Sequence, residues 1–139
     1  MDPLTYKNGA RGSLPIRDDH DIVRCRQSVR RITSAMGFSV TGQTMLVTAA
    51  SELARNTLVY GRGGTLEWAA LERHGKLGVR LCFSDRGPGI ADIPQAMANG
   101  WSSGRGLGLG LPGAKRLVNE FEIESVQGGG TRVCVVRWK

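Results

Sequence analysis

The sequence predicts an α+β two-layer sandwich: a mixed, mostly antiparallel sheet with helices over one face. Three observations carry this. Two segments with apolar residues at three- and four-residue steps come first. Two strand-like runs joined by a short turn follow. One more helical segment then precedes a closing pair of strand-like runs split by three glycines.

Residues 1–12 (MDPLTYKNGARG) are polar and turn-rich and read as a flexible tail, which leaves 13–139 as one domain. Ser13 to Arg17 reads as a short edge strand, because Pro15 is tolerated only at an edge. Asp18 or Asp19 is placed to cap a helix in which Ile22, Cys25, Val29, Ile32 and Met36 share one side and Gly37 supplies a stop. A second helix is predicted from about Thr44 to Tyr60, with Met45, Leu46, Ala49, Leu53 and Leu58 on its buried side and Gly61 to Gly64 as its breaker. Thr65 to Glu72 and Leu77 to Asp85 read as a hairpin around Arg73-His74-Gly75-Lys76; in the second run Leu77, Val79, Leu81 and Phe83 alternate with other residues, the mark of a half-buried strand. A turn at Asp85 to Ile90, a short helix near Pro94 to Ala98 and a glycine-rich loop from Gly100 to Gly110 follow. A helix from Leu111 to Phe121, then Ile123 to Val126, Gly128-Gly129-Gly130 and Thr131 to Trp138, closes the domain.

The composition narrows the classes. At 139 residues, 40% hydrophobic and 22% charged, the chain has ordinary globular usage. Glycine, at 20 residues, is about twice as frequent as usual and has no Gly-X-Y period. The net charge of +7 is spread singly or in pairs, with no aromatic RNA-binding box and no zinc-finger spacing. An acidic protein or a nucleotide is therefore the expected partner, and neither nucleic acid nor membrane is expected. Cys25, Cys82 and Cys134 lie far apart in apolar-patterned segments and form no CxxC pair. They read as buried structural thiols, which implies a reducing compartment, the cytoplasm. His20 and His74 read as exposed loop histidines.

Familiar nucleotide motifs fail on inspection. Gly108 to Gly113 fits GxGxxG, but a loop rather than a strand precedes it and no acidic residue stands at the required distance. The Walker pattern fails because Ala114 precedes Lys115 and Arg116 replaces the metal-holding hydroxyl. The eukaryotic-type kinase motifs are absent.

Three groups remain, each with an ordinary structural reading beside the chemical one. Glu52 and Asn56, four apart, share one helix face, where an amide oxygen can meet a metal and a carboxylate an attacking group; the plain alternative is a polar helix face. Asp85-Arg86-Gly87-Pro88-Gly89 ends a strand with a carboxylate able to accept from an exocyclic amine; the alternative is a simple Pro-Gly turn. Ser102 to Leu111 offers successive backbone N–H groups to an anion, and its alternating leucines argue against a solvated linker.

In order and spacing, these groups resemble the Bergerat (GHKL) nucleotide fold of the gyrase, Hsp90, histidine-kinase and MutL superfamily. SELARN, DRGPGI, GLGLGLPGAKRLVNEF and GGGT narrow the match to the small anti-sigma regulatory serine/threonine kinases, over about Arg17 to Trp138. The resemblance implies ATP and Mg²⁺ as cofactors. It implies Glu52 as the catalytic carboxylate, Asn56 as the Mg²⁺ ligand and Asp85 as acceptor from the adenine amine, with Gly87 and Gly89 beneath the base. It assigns Gly104, Arg105, Gly106, Leu107, Gly108, Leu109 and Gly110 to a phosphate lid, and places Thr131 near adenine through water. Arg105 stands where the lid often has a small residue, and either touches a β- or γ-phosphate or stays solvated. The implied function is phosphorylation of STAS-domain proteins in a stressosome-like partner switch, with activation of a PP2C-type phosphatase by binding. Two alternatives stay open: a stand-alone histidine-kinase catalytic domain, and an anti-sigma factor or other ATP-binding regulatory module without catalysis.

Overall fold

The chain runs through strand β1 (Thr5–Ile16), helices α1 (Asp19–Ala35) and α2 (Val40–Val59), strands β2 (Gly64–Arg73) and β3 (Lys76–Asp85), short helices α3 (Ile93–Ala96) and α4 (Gly110–Arg116), and strands β4 (Glu120–Val126) and β5 (Gly130–Trp138). The computed structural model describes residues 5–98 and 110–139. The strands form one sheet in the order β1-β2-β3-β5-β4, and every described pairing is antiparallel.

Local chemistry sets most element ends. The Asp18 carboxylate accepts from the Asp21 N–H at 3.0 Å and starts α1. Ser39 does the same for α2, accepting from Gly42 N–H at 3.0 Å, so α2 begins at Val40 rather than near Thr44. The β2–β3 hairpin turns at His74 and Gly75, with φ of 51° and 82°; two left-handed residues in succession match the twist of a tight hairpin.

The alternation in β3 works as expected. Val79, Leu81 and Phe83 face the helices, beside Leu66, Val133 and Val135 of the neighbouring strands. Val29 of α1 and Leu46 and Leu53 of α2 close that core, and Ala49, Ala50 and Ala54 let α2 lie close to its neighbours. Each large side chain buried here contributes about 1.5–3 kcal/mol. On the opposite sheet face Ala69, Leu71 and Val136 form a small cluster with Trp138.

Three expectations are corrected. Residues 5–12 are not a tail: β1 starts at Thr5 and pairs with β2, with a register shift between Tyr6 and Arg11. The composition is tail-like, but the free backbone edge of β2 accepts a partner strand whatever its side chains. The late helix stops at Arg116 instead of Phe121. Asn119 N–H donates to Val136 O at 2.9 Å and Phe121 pairs opposite Val135, so β5 captures the segment as β4. Finally, Cys82 and Cys134 are not separate thiols. They lie opposite each other on β3 and β5, with Cα atoms 4.1 Å apart, and are joined by a disulfide; Cys25 remains free and buried. Two of the three cysteines thus no longer support the inference of a reducing compartment. No helix among the described residues is long and apolar enough to cross a membrane.

Candidate active site

The C-terminal half of α2, the end of β3 and the start of β5 meet around a hollow of about 360 Å³. Leu53 and Asn56 line it from α2, Asp85 from β3, and Thr131 and Val133 from β5. Pro88 and Gly89 contribute from the turn after β3, Ala96 from α3 and Leu111 from α4. The surround is mostly apolar, with a few convergent polar groups, which suits a flat heteroaromatic ring.

Asp85 is held in one orientation. Its Oδ1 accepts from the Gly87 N–H at 2.9 Å and from the Thr131 N–H at 3.2 Å. Both bonds fall on the same oxygen, Oδ1. Backbone closeness makes this possible. A Cβ on Gly61 would collide with the Asp85 carboxylate, and one on Gly130 would collide with the Asp85 carbonyl oxygen. Gly87 packs so closely that a Cβ there would lie 2.8 Å from the Gly61 Cα.

A second tie fixes the turn. Ile90 N–H donates to Ser125 Oγ at 2.6 Å, and Ser125 Oγ lies 2.9 Å from Thr131 Oγ1. Gly128 N–H donates to Pro88 O at 2.7 Å. The β4–β5 hairpin therefore clamps the turn that carries Gly87 and Gly89. Gly61, Ser125 and Gly130 were not among the site residues read from the sequence. Gly61 and Gly130 do stand in the GRGG and GGGT stretches, whereas nothing in the sequence marks Ser125.

The structure thus brings together Asn56, Asp85, Gly89 and Thr131, with Gly87 beside Asp85. Glu52 is half-buried and does not line the hollow; it lies one turn back along α2, about 6 Å by helical rise. Gly110 opens α4 with φ of 49°. Gly104, Arg105, Gly106, Leu107, Gly108 and Leu109 lie outside the described residues. No cluster of three or more His, Cys, Asp or Glu side chains able to hold a metal exists among the described residues. The Asn56 amide oxygen alone fits a Mg²⁺ that arrives with phosphate oxygens and water, which is this ion's usual habit.

Residues 41–139 match the family described as histidine kinase-, DNA gyrase B-, and HSP90-like ATPases. The chain belongs to this family of ATP-binding proteins. It is 42% identical over 123 residues to the serine/threonine-protein kinase RsbT of Bacillus subtilis (strain 168), covering 88% of this chain and 92% of that one. On that ground it is an RsbT-like serine/threonine protein kinase. Two solved structures share the fold. One holds the RsbU and RsbW domains of a Mycobacterium tuberculosis protein (TM-score 0.64, 20% identity, 92% of this chain and 31% of that chain). The other is the mycobacterial sensor histidine kinase MprB (TM-score 0.55, 18% identity, 93% of this chain and 97% of that chain).

Proposed function

We propose that this kinase transfers the γ-phosphoryl group of ATP to a serine or threonine of a STAS-domain protein, in a stressosome-like partner switch in the cytoplasm. In the same reading it activates a PP2C-type phosphatase by binding once released from its substrate. The anchored Asp85 carboxylate at the end of an apolar hollow is the observation that best supports the nucleotide half of this reading.

Asp85 Oδ2 accepts from the adenine amine, Gly87 and Gly89 allow the ring to approach the backbone, and Thr131 reaches the base through water. Asn56 would hold Mg²⁺ through its amide oxygen. The ion supplies charge neutralisation to the phosphates. Gly104 to Gly110 are assigned to the phosphate lid, with Arg105 beside the β- or γ-phosphate or in solvent. Glu52, one turn from Asn56 on the same helix face, orients the attacking hydroxyl and takes its proton. That division suits phosphoryl transfer, in which positioning and charge stabilisation carry most of the rate.

The test is label transfer from γ-labelled ATP with Mg²⁺ to purified STAS-domain proteins encoded near this gene. Acid-stable label on Ser or Thr is expected. Glu52→Gln should keep ATP binding and abolish transfer, whereas Asn56→Ala should weaken Mg-ATP binding itself. Absence of label on every such partner overturns the substrate assignment, and acid-labile label would point to phosphohistidine instead.

A further inference from the structure

The sheet face away from the helices carries a second hollow, of about 430 Å³, that the proposed nucleotide chemistry does not use. Cys82 lines it, together with Arg11, Arg80 and Arg132. Cys82 pairs in register with Cys134, and Glu67 and Glu122 flank the pair along the same row. Arg132 Nε–H donates to Cys134 Sγ at 3.4 Å. The two sulfurs are thus held face to face by the sheet, with positive charge beside one and an open hollow beside the other. All three cysteines are largely buried, but Cys82 and Cys134 keep 4% and 8% of their surface and Cys82 lines the hollow, whereas Cys25 is fully enclosed, and burial, helped by the Asp21 carboxylate, pushes its thiol up to about 11.

We propose that Cys82 and Cys134 form a reversible oxidation site, closed to a disulfide by a hydroperoxide and reopened by a small thiol. The Cys82 sulfur attacks the outer peroxide oxygen; the O–O bond breaks, leaving a sulfenic acid and releasing water or an alcohol. The Cys134 sulfur then attacks the Cys82 sulfur; the S–S bond forms, the S–O bond breaks and water leaves. The two thiols supply the two electrons that reduce the peroxide. Two molecules of small thiol return both electrons and leave as their own disulfide. Reversibility rests on the cytoplasmic kinase reading: where the thiol pool is reducing, protein disulfides are transient and redox-sensing.

The site also has a structural consequence. Cys82 lies three residues before Asp85 on β3 and Cys134 three residues after Thr131 on β5, so the bond staples the two strands that carry the hollow's polar groups. It closes a loop of 52 residues, which should raise the thermal midpoint by at least about 5 °C.

The experiment uses the full chain, with and without Cys25→Ala, reduced by dithiothreitol, desalted and then exposed to hydrogen peroxide. The expected product is a monomer lighter by two hydrogens, with no maleimide uptake at Cys82 or Cys134 after denaturation. Dithiothreitol should restore both thiols and lower the midpoint by the stated amount. Cys82→Ser and Cys134→Ser, checked for folding by circular dichroism, should each abolish the midpoint difference. Persistence of both thiols, an oxygen-bearing end product or a crosslinked dimer would overturn the proposal. None of these readouts needs ATP or a protein substrate, so failure here leaves the kinase reading standing, and failed phosphotransfer leaves this one standing.

Discussion

Asp85 and Thr131, 46 residues apart in sequence, are joined by a hydrogen bond from the Thr131 backbone N–H to Asp85 Oδ1 at 3.2 Å. With the bond from Gly87 N–H to the same oxygen, it turns a strand-end carboxylate into a fixed acceptor facing an apolar hollow.

Asp85→Asn removes the charge: its amide oxygen still accepts from the Gly87 and Thr131 N–H groups, which puts an NH2 donor in the position of Oδ2, where an acceptor stood. ATP binding should weaken by about 10- to 100-fold, the range set by a hydrogen bond to a charged group. Titration calorimetry with ATP checks it, and an unchanged affinity would remove Asp85 from base recognition.

Gly130→Ala and Gly128→Ala separate backbone strain from collision. Both glycines have positive φ, 96° and 80°, but only a Cβ on Gly130 meets backbone, the Asp85 carbonyl, while nothing lies within 4 Å of one on Gly128. Gly128→Ala should cost about 1–2 kcal/mol of stability, and Gly130→Ala at least about 1–3 kcal/mol more. Equal losses in urea unfolding would mean that the Asp85–Gly130 contact relaxes freely.

Ser125→Ala removes the acceptor of the Ile90 N–H and the partner of the Thr131 hydroxyl. Loss of about 1–3 kcal/mol is expected, together with weaker ATP binding because the turn carrying Gly87 and Gly89 loosens. Chemical unfolding and calorimetry on the same sample measure both effects.

The acid limb of stability should depend on Asp21. This buried carboxylate accepts from Arg17 Nε–H at 3.1 Å, from Arg17 backbone N–H at 2.9 Å and from Arg24 at 3.1 Å. The Arg17 hydrogen bonds hold its pKa below the ordinary 3.8. A depressed carboxyl pKa stabilises the fold above the unfolded value, and that contribution disappears as pH falls through the folded one. Asp21→Asn should therefore be less stable than the parent at pH 7, with the gap shrinking below about pH 4. Urea unfolding at both pH values checks the sign; a gap that widens in acid would contradict it.

The legible parts of the fold were those with local causes. Of the two aspartates placed to cap α1, Asp18 does so, the β3 alternation predicted its buried face, and His74-Gly75 made the expected turn, because each depends on neighbours in the chain. The edge strand expected from Ser13 is the end of β1, but its 5–12 part was missed because its reason for being extended is the edge of β2, some 60 residues away. The split of 111–121 into helix and strand was missed because Phe121 fits an apolar period of either kind until β5 lies beside it. For the site, Asn56, Asp85, Gly89 and Thr131 were named from sequence and meet in space; Gly61 and Gly130 act by close approach inside glycine stretches that do not tell which glycine is needed, and Ser125 clamps the turn with no local mark.

From the chain of letters alone came the layer architecture, the helix and strand periods, and the set of polar residues and glycines suited to a nucleotide, since side-chain periodicity and turn chemistry are local properties. The tertiary structure decided which oxygen of Asp85 is anchored, that Cys82 faces Cys134, and that Glu52 stands off the hollow Asn56 lines. Those relations follow from strand register and helix rotation, which are set by long-range packing of the whole core and have no imprint in any short stretch of sequence.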